Sequence, residues 1–142
     1  MKRIAVCLLV IIVVTSTGCI KTHITPIEAK KIGLICIRDN PISFREDFLS
    51  LIRDEFRKNL IKTRLLEHGQ DEKECFCIME YTASWEWDRI FYLSYAKIEV
   101  YKNDLLIGSA EYDATNAGYA FTKYIKDEII ISQLIEALLN LN

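Results

Sequence analysis

Histidine is scarce in this chain of 142 residues, which has only His23 and His68. These two have no spacing typical of metal ligands, and the five cysteines do not supply two Cys-x-x-Cys pairs, so we expect no metal and no cofactor. A Gly-rich phosphate loop and a Gly-x-Ser-x-Gly elbow are also missing. The formal net charge is −2, and the chain has no basic cluster that would suit nucleic acid. Together these absences favour a binding or structural protein over an enzyme.

Long apolar runs are missing as well. The longest, Ile4–Val14, has eleven residues, whereas a membrane-spanning helix needs about 20. Lys2 and Arg3 precede this run and the small residues Ser16-Thr17-Gly18 follow it, which is the order of a secretory signal peptide. We therefore expect residues 1–18 to be removed before Cys19. The alternatives are an ordinary signal peptide that leaves Cys19 as a free thiol, and an anchor that is never cleaved.

The segment Ser16-Thr17-Gly18-Cys19 resembles the lipobox of bacterial lipoproteins. The resemblance implies that acyl chains on Cys19 attach the mature protein to a membrane. Residues 19–31 would then be the lipidated cysteine and a short polar tether. In the sorting rule of enteric lipoproteins, Ile20 rather than Asp after the cysteine favours the outer membrane, where the protein would face the periplasm.

The remaining 124 residues suffice for one domain, which we expect to span 32–142, and their formal net charge is −4. Ile32–Ile37 is a short apolar run typical of a buried strand. Ser43 and Glu46 have the spacing of a capping box and predict a helix that ends near Lys62. Asp127 is a candidate cap for a second helix that ends near Leu141.

From Cys75 onward the apolar residues recur with a period of two, which indicates strands. We predict a first strand from Cys75, a second over Ile90–Tyr101 and a third over Leu105–Asp113, with a bulge or close approach at Gly108. Thr63–Leu66 is a candidate for one more strand. The order β-α-(β)-β-β-β-α predicts an α+β fold in which a single antiparallel-rich sheet carries two helices packed on one face.

Three cysteines remain in the predicted domain, and the periplasm permits disulfides. Cys75 and Cys77 lie about 6–7 Å apart on one face of a strand, a poor geometry for a bond with each other. The spacing leaves open a bond from Cys36 to either one, or buried free thiols. A zinc site would need more ligands than the sequence offers.

Aromatic residues are concentrated around the first predicted hairpin. Trp85, Trp87 and Tyr92 are the candidate binding surface, because Trp and Tyr are favoured at protein interfaces. The alternative is that they cover the open end of the core. A second aromatic group, Tyr119, Phe121 and Tyr124, lies in or near a loop, where it can touch a partner or lipid headgroups. The first functional hypothesis is therefore an unknown protein partner in the envelope, and the second is an envelope glycan or lipid held between the sheet and the last helix.

Several motifs occur in an order that resembles a family of uncharacterised small bacterial lipoproteins. These motifs are Ile35-Cys36-Ile37 with Asn40-Pro41, Cys75, Tyr81-Thr82-Ala83, Trp87-Asp88, Tyr92-Leu93-Ser94-Tyr95-Ala96 and Ile107-Gly108-Ser109-Ala110. The resemblance covers about residues 32–113. It implies a disulfide between Cys36 and Cys75 and leaves Cys77 as the extra thiol. The family brings no established activity.

Overall fold

The protein is described by a computed structural model that covers residues 18–28, 32–40, 45–66, 70, 72–118 and 120–141. Apart from Gly18, the predicted signal peptide lies outside these residues. The described chain forms one mixed six-stranded sheet and two α-helices, which confirms the α+β class with a single sheet. Its elements are β1 Lys21–Thr25, β2 Ile35–Arg38, α1 Glu46–Lys58, β3 Thr63–Leu66, β4 Cys77–Asp88, β5 Ile90–Lys102, β6 Leu105–Asp113 and α2 Asp127–Leu138.

The sheet has the strand order β1-β6-β5-β4-β2-β3. The β4–β5–β6 meander is antiparallel, as predicted, and β1 extends it in antiparallel pairing with β6. The other edge is parallel, because β2 pairs with both β3 and β4 in the same direction. Helix α1 makes the crossover from β2 to β3, the connection that parallel strands require.

The predicted tether is wrong for residues 21–25, which form β1. Lys21 is opposite Asp113 and Thr25 is opposite Ser109 in the ladder with β6. Just beyond the strand, Ile27 is buried and its amide donates to the Leu138 carbonyl at 2.7 Å. Most side chains of β1 are exposed, so this edge strand lacks the alternation that would identify it in the sequence.

Both helices are shorter than their patterns suggested. Helix α1 begins after Arg45 at the N-cap, whereas the predicted cap, Ser43, lies outside the described residues. The helix ends at Lys58 rather than Lys62, and Leu60 then takes the left-handed conformation with φ of 60°. Helix α2 ends at Leu138 rather than Leu141. Asp127 lies in its first turn and not at the N-cap, where the structure places Lys126.

One buried cluster joins the sheet and the helices. The predicted alternation holds on β4, where Cys77, Met79 and Tyr81 are buried. The helices contribute the apolar residues Phe48, Ile52, Phe56, Ile130, Ile131, Leu134, Ile135 and Leu138. Gly108 permits a close approach as predicted, since a Cβ atom there would lie 2.1 Å from the Ile27 Cγ2 atom.

A disulfide joins Cys36 on β2 to Cys75 just before β4, with a Cα–Cα distance of 5.6 Å. This confirms the pairing that the family resemblance implied. Cys77 is a buried free thiol, and burial raises its pKa to about 11. The thiol is therefore protonated at neutral pH and is a poor nucleophile.

Candidate functional site

The two turns of the meander lie at opposite ends of the sheet. The chain reverses between β4 and β5 at Arg89, where φ is 65°. It reverses between β5 and β6 at Asn103 and Asp104, where φ is 50° and 61°. We call the second end the disulfide end, because β4 starts there, next to Cys75.

Cys19 lies at the end of the Arg89 reversal. Lys21 is opposite Asp113 on β6, and Asp113 is in turn opposite Tyr95 on β5. Strand β1 therefore starts at the end from which the β4–β5 hairpin projects. Cys19 is exposed and two residues before Lys21, so we call this the anchor end.

Trp85 joins three elements beneath the anchor end. Its indole Nε1 donates to Asp127 Oδ2 at 2.8 Å, and Arg45 Nη1 donates to the same oxygen at 3.2 Å. The ring makes an edge contact with Phe48, with centroids 5.2 Å apart. Asp127 lies in the first turn of α2, where a negative charge also interacts well with the helix dipole. Through these contacts Trp85 links β4 to both α1 and α2.

Trp87 follows on the same face of β4 but is exposed, and it makes an edge contact with Phe91 at 5.0 Å. Ile90 and Phe91, directly after the reversal, are also exposed. A further exposed apolar side chain at this end is Phe121, in the short 3-10 turn Phe121–Tyr124. We call Trp87, Ile90, Phe91 and Phe121 the anchor-end patch.

Tyr92 lies on the opposite face of the hairpin and is buried. Its hydroxyl donates to Glu86 Oε2 at 2.9 Å, and its ring contacts Tyr124 edge-on at 5.9 Å. Burial, followed by the Glu86 carboxylate, raises the pKa of Tyr92. The structure therefore does not bring the predicted trio together: Trp85 is directed to the helices, Tyr92 to the 3-10 turn, and Trp87 to solvent.

Lys123 was missed by the sequence analysis, although only 4% of its surface is exposed. Its Nζ donates to Asp88 Oδ2 and, at 2.6 Å, to the Gly118 carbonyl. Tyr124 donates to the same Asp88 oxygen at 2.8 Å. The hydrogen bond from Lys123 is the main reason that the pKa of Asp88 is lowered, and the same bond raises the pKa of Lys123. No local pattern predicts this cluster, because Asp88 and Lys123 are distant in sequence.

On the rest of the sheet, alternate β5 side chains form a face that we call the polar face: Tyr95, Lys97, Glu99 and Tyr101. These side chains are half-buried, and Lys97 Nζ lies 2.8 Å from Glu99 Oε1. This ion pair is the main cause of the raised pKa of Lys97. The residues between them, Ala96, Ile98 and Val100, are fully buried in the core.

Several concave regions lie on the described surface, and three of them differ in position and lining. One of 660 Å³ lies beside the carboxyl end of α1, and one of 550 Å³ lies at the disulfide end. The third, of 310 Å³, lies between β1, Tyr112 on β6 and helix α2, and its lining is mostly apolar. The buried Tyr112 hydroxyl, which sequence analysis also missed, has no hydrogen-bond partner among the described residues. Its pKa is raised by burial and by the negative charge of Asp127.

Within the described residues, no group of three His, Cys, Asp or Glu side chains could hold a metal ion. The same part of the chain contains no helix that is long and apolar enough to cross a membrane. The side chains around the anchor end are arranged as hydrogen-bonded and aromatic contacts, which suit packing and binding.

No family model matches the chain, and no curated protein matches it. Solved structures do match. The chain is similar to PelC from Paraburkholderia phytofirmans, described as a dodecamer, and to a point variant of that protein in another crystal form. In each case the TM-score is 0.57 at 10% identity, with 85% of this chain and 98% of the PelC chain covered. At this identity the likeness establishes a shared fold.

Proposed function

We propose that this protein is a bacterial envelope lipoprotein, held in a membrane by acyl chains on Cys19, that binds a protein partner and catalyses no reaction. The membrane is the outer membrane, and the domain faces the periplasm. The observation that carries the proposal is the position of Cys19. It is exposed and is separated from β1 by Ile20 alone, so lipids attached there would not disturb the core.

The partner surface is the polar face of the sheet. We infer that both helices cover the other face, since α1 and α2 residues share one cluster with Ala96, Ile98 and Val100. Ser132 on α2 also donates to Glu55 on α1 at 3.2 Å. The polar face then presents tyrosines and an ion pair, and Tyr101 at its end also lines the concave region of 550 Å³. Surfaces that mix aromatic and charged side chains in this way are typical of sites for proteins.

The partner that the comparison favours is another copy of this chain. PelC shares the fold over 98% of its length and is described as a dodecamer. The polar face lies on the antiparallel part of the sheet, formed by β1, β6, β5 and β4. Four strands at about 4.8 Å spacing, with about nine residues of 3.3 Å each on average, give that side of the sheet roughly 570 Å² in projection. The accessible area is larger than this flat projection, because side chains stand out from the sheet. It is therefore close to the ~800 Å² of accessible surface that each partner buries in a standard interface.

The anchor is tested by the intact mass of the protein isolated from membranes. We expect a chain that begins at Cys19 and carries the added mass of its acyl chains. A Cys19→Ser variant should lose the added mass and leave the membrane fraction. A wild-type chain with an unmodified Cys19 would contradict the proposal.

Self-association is tested by light scattering in detergent with two matched charge reversals. Lys97→Glu places a second negative charge beside Glu99 on the polar face, whereas Arg57→Glu does the same beside Asp54 on α1. We expect an oligomer that Lys97→Glu dissociates and Arg57→Glu leaves intact. A wild-type monomer at all concentrations, or equal sensitivity to both changes, would exclude the polar face as a self-association surface.

A ligand-binding role is the second candidate, and the 310 Å³ cavity favours it. The cavity lies between the sheet and α2, and its size is at the lower limit of ordinary ligand pockets. Its apolar lining and the unpartnered Tyr112 hydroxyl suit an acyl chain with a polar group. Titration with a fluorescent fatty acid tests this role. Binding that Tyr112→Phe weakens supports it, and no saturable binding excludes it.

A further inference from the structure

The four large apolar side chains of the anchor-end patch are each more than half exposed to solvent. The exposed fractions are 66% for Trp87, 52% for Ile90, 57% for Phe91 and 85% for Phe121. Trp87 and Phe91 are in contact and Ile90 adjoins Phe91, while Phe121 lies on the 3-10 turn that packs against the other face of the same hairpin. Large apolar side chains grouped at one end of a domain mark contact surfaces more often than lone exposed residues do. The presence of Trp87 in the patch favours a membrane as the contact, because Trp is enriched at the membrane–water interface.

The register of the strands places this patch well beyond the rest of the sheet. Tyr95 is the last β5 residue opposite β6, and the strand extends five residues beyond it to Ile90, next to the reversal. At about 3.3 Å per residue the hairpin projects roughly 17 Å beyond the start of β1. It therefore extends in the same direction as Cys19, past the edge formed by β1 and β6.

Cys19 is close to this projection and has little freedom. Only Ile20 separates it from β1, and two residues span at most about 7 Å. Strands β5 and β4 are the second and third neighbours of β1, which corresponds to roughly 10–14 Å across the sheet. A bilayer that holds acyl chains on Cys19 must then lie within reach of the hairpin.

Hydrogen bonds from Lys123 and Tyr124 also hold the hairpin in place. Lys123 joins Asp88, next to the reversal, to the Gly118 carbonyl, and Tyr124 donates to Asp88 as well. These bonds attach the 3-10 turn to the hairpin and fix the position of Phe121 relative to the hairpin tip. Phe121 and the tip can therefore contact the same surface at the same time.

We propose that the anchor-end patch inserts into the headgroup region of the bilayer that holds Cys19 and fixes the orientation of the domain on the membrane. This inference rests on the lipid anchor proposed above. Trp87 and the phenylalanines contact the boundary between headgroups and acyl chains, the depth at which amphipathic segments bind. Arg89 at the tip reaches back to phosphate groups while its stem stays in the apolar layer. Because the patch itself is apolar, we expect the contact to depend little on salt.

Fluorescence quenching by brominated lipids tests this contact in the full anchored protein. The protein is isolated from membranes and reconstituted in phosphatidylcholine vesicles with or without bromine on the acyl chains. Three chains are compared: the wild type, Trp87→Phe, and Trp87→Phe combined with Leu105→Trp. Trp85 is kept in all three as a common background. Leu105 is the matched control, since it is 70% exposed and follows the turn at the opposite end of the sheet.

We expect brominated lipid to lower the fluorescence that Trp87 contributes by more than about twofold, as for an indole at the membrane interface. The indole introduced by Leu105→Trp should change by less than about a tenth, because the disulfide end is directed away from the bilayer. Vesicle-bound protein in which Trp87 is unquenched overturns the insertion and leaves the anchor intact. Equal quenching of both indoles overturns the fixed orientation. Protein that does not sediment with vesicles overturns the anchor itself, and the insertion with it.

Discussion

The two turns of one meander show how similar hairpins are reinforced in different ways. At the disulfide end, Asn103 and Asp104 make a two-residue turn, and a covalent bond joins β2 to the start of β4. At the anchor end, Arg89 makes the reversal, and the buried Lys123 donates a hydrogen bond to the neighbouring Asp88. Both ends expose apolar side chains, so exposure alone does not distinguish them. The two ends differ in their position relative to Cys19, which lies at the anchor end only.

The largest effect is expected from the disulfide end. The bond between Cys36 and Cys75 closes a loop with a sequence separation of 39. In the chain-entropy model its loss lowers the free energy of unfolding by about 4 kcal/mol. We expect this for the double variant Cys36→Ala/Cys75→Ala, measured by denaturant unfolding. Hydrogen exchange should increase first in β2 and β3.

A change at Cys77 serves as the control for that variant. Cys77→Ala removes a buried free thiol without opening a loop, so its cost should stay well below that of the disulfide. Equal costs for the two variants would show that packing, rather than the cross-link, stabilises this end of the sheet.

The next effect concerns the two tryptophans of β4. Trp85→Phe removes the hydrogen bond to the Asp127 carboxylate and should lower the free energy of unfolding by about 2 kcal/mol. Trp87→Phe should change it by less than about 0.5 kcal/mol, since Trp87 is exposed. Thermal unfolding of the two variants checks this difference. A similar cost for both would contradict the separate roles of these residues.

The anchor end should also depend on pH through Asp88 and Lys123. The pKa of Asp88 is lowered in the folded state, so its contribution is present above its ordinary pKa of about 3.9 and is lost as the pH falls through the lowered folded value. The pKa of Lys123 is raised, so its contribution is present below its ordinary pKa of about 10.4 and is lost as the pH rises through the folded value. Since Asp88 is partly exposed, we expect a smaller effect than that of Trp85.

Melting temperatures at acid, neutral and alkaline pH test this expectation. Asp88→Asn should flatten the pH profile on both sides. Asp54→Asn, which breaks the exposed pair with Arg57, is the control and should leave the profile nearly unchanged. Identical profiles for Asp88→Asn and the wild type would contradict a stabilising role of the pair with Lys123.

The smallest effect is expected from glycine at the turns. Arg89→Gly should raise the free energy of unfolding by up to about 1 kcal/mol, because arginine has no means to offset the strain of a left-handed conformation. Asp104→Gly should raise it by only about 0.3 kcal/mol, because Asp tolerates this conformation. Denaturation midpoints measure both. A reversed order would mean that contacts of the Arg89 side chain outweigh its backbone strain.

The sequence predicted the meander well and the edges of the sheet poorly. Strand β6 was predicted with its observed bounds, because its alternation is bounded by a turn on one side and a loop on the other. Strand β1 has exposed side chains, so nothing in its pattern separates it from a polar tether. The pairing of β1 with β6 depends on residues far away in the chain, which a local pattern does not report.

The candidate site was predicted as a region but not as an arrangement. Trp85, Trp87 and Tyr92 do surround the β4–β5 hairpin. Their faces depend on strand alternation and on a register shift between Ser84 and Trp85, which the sequence does not reveal. Lys123 was missed for a different reason: charged residues near aromatic ones are usually solvated, and only the folded chain shows what surrounds this one.

The pairing of β1 with β6 also has a consequence for folding. The first strand pairs with the last strand of the meander, so the sheet is complete only after the chain has been made as far as β6. Contacts between such distant residues form late, because a long loop must close first. Until then β6 is an open edge that can pair with a neighbouring chain. In the interval before its own N-terminal strand docks, the chain is thus open to strand exchange with a second copy of itself.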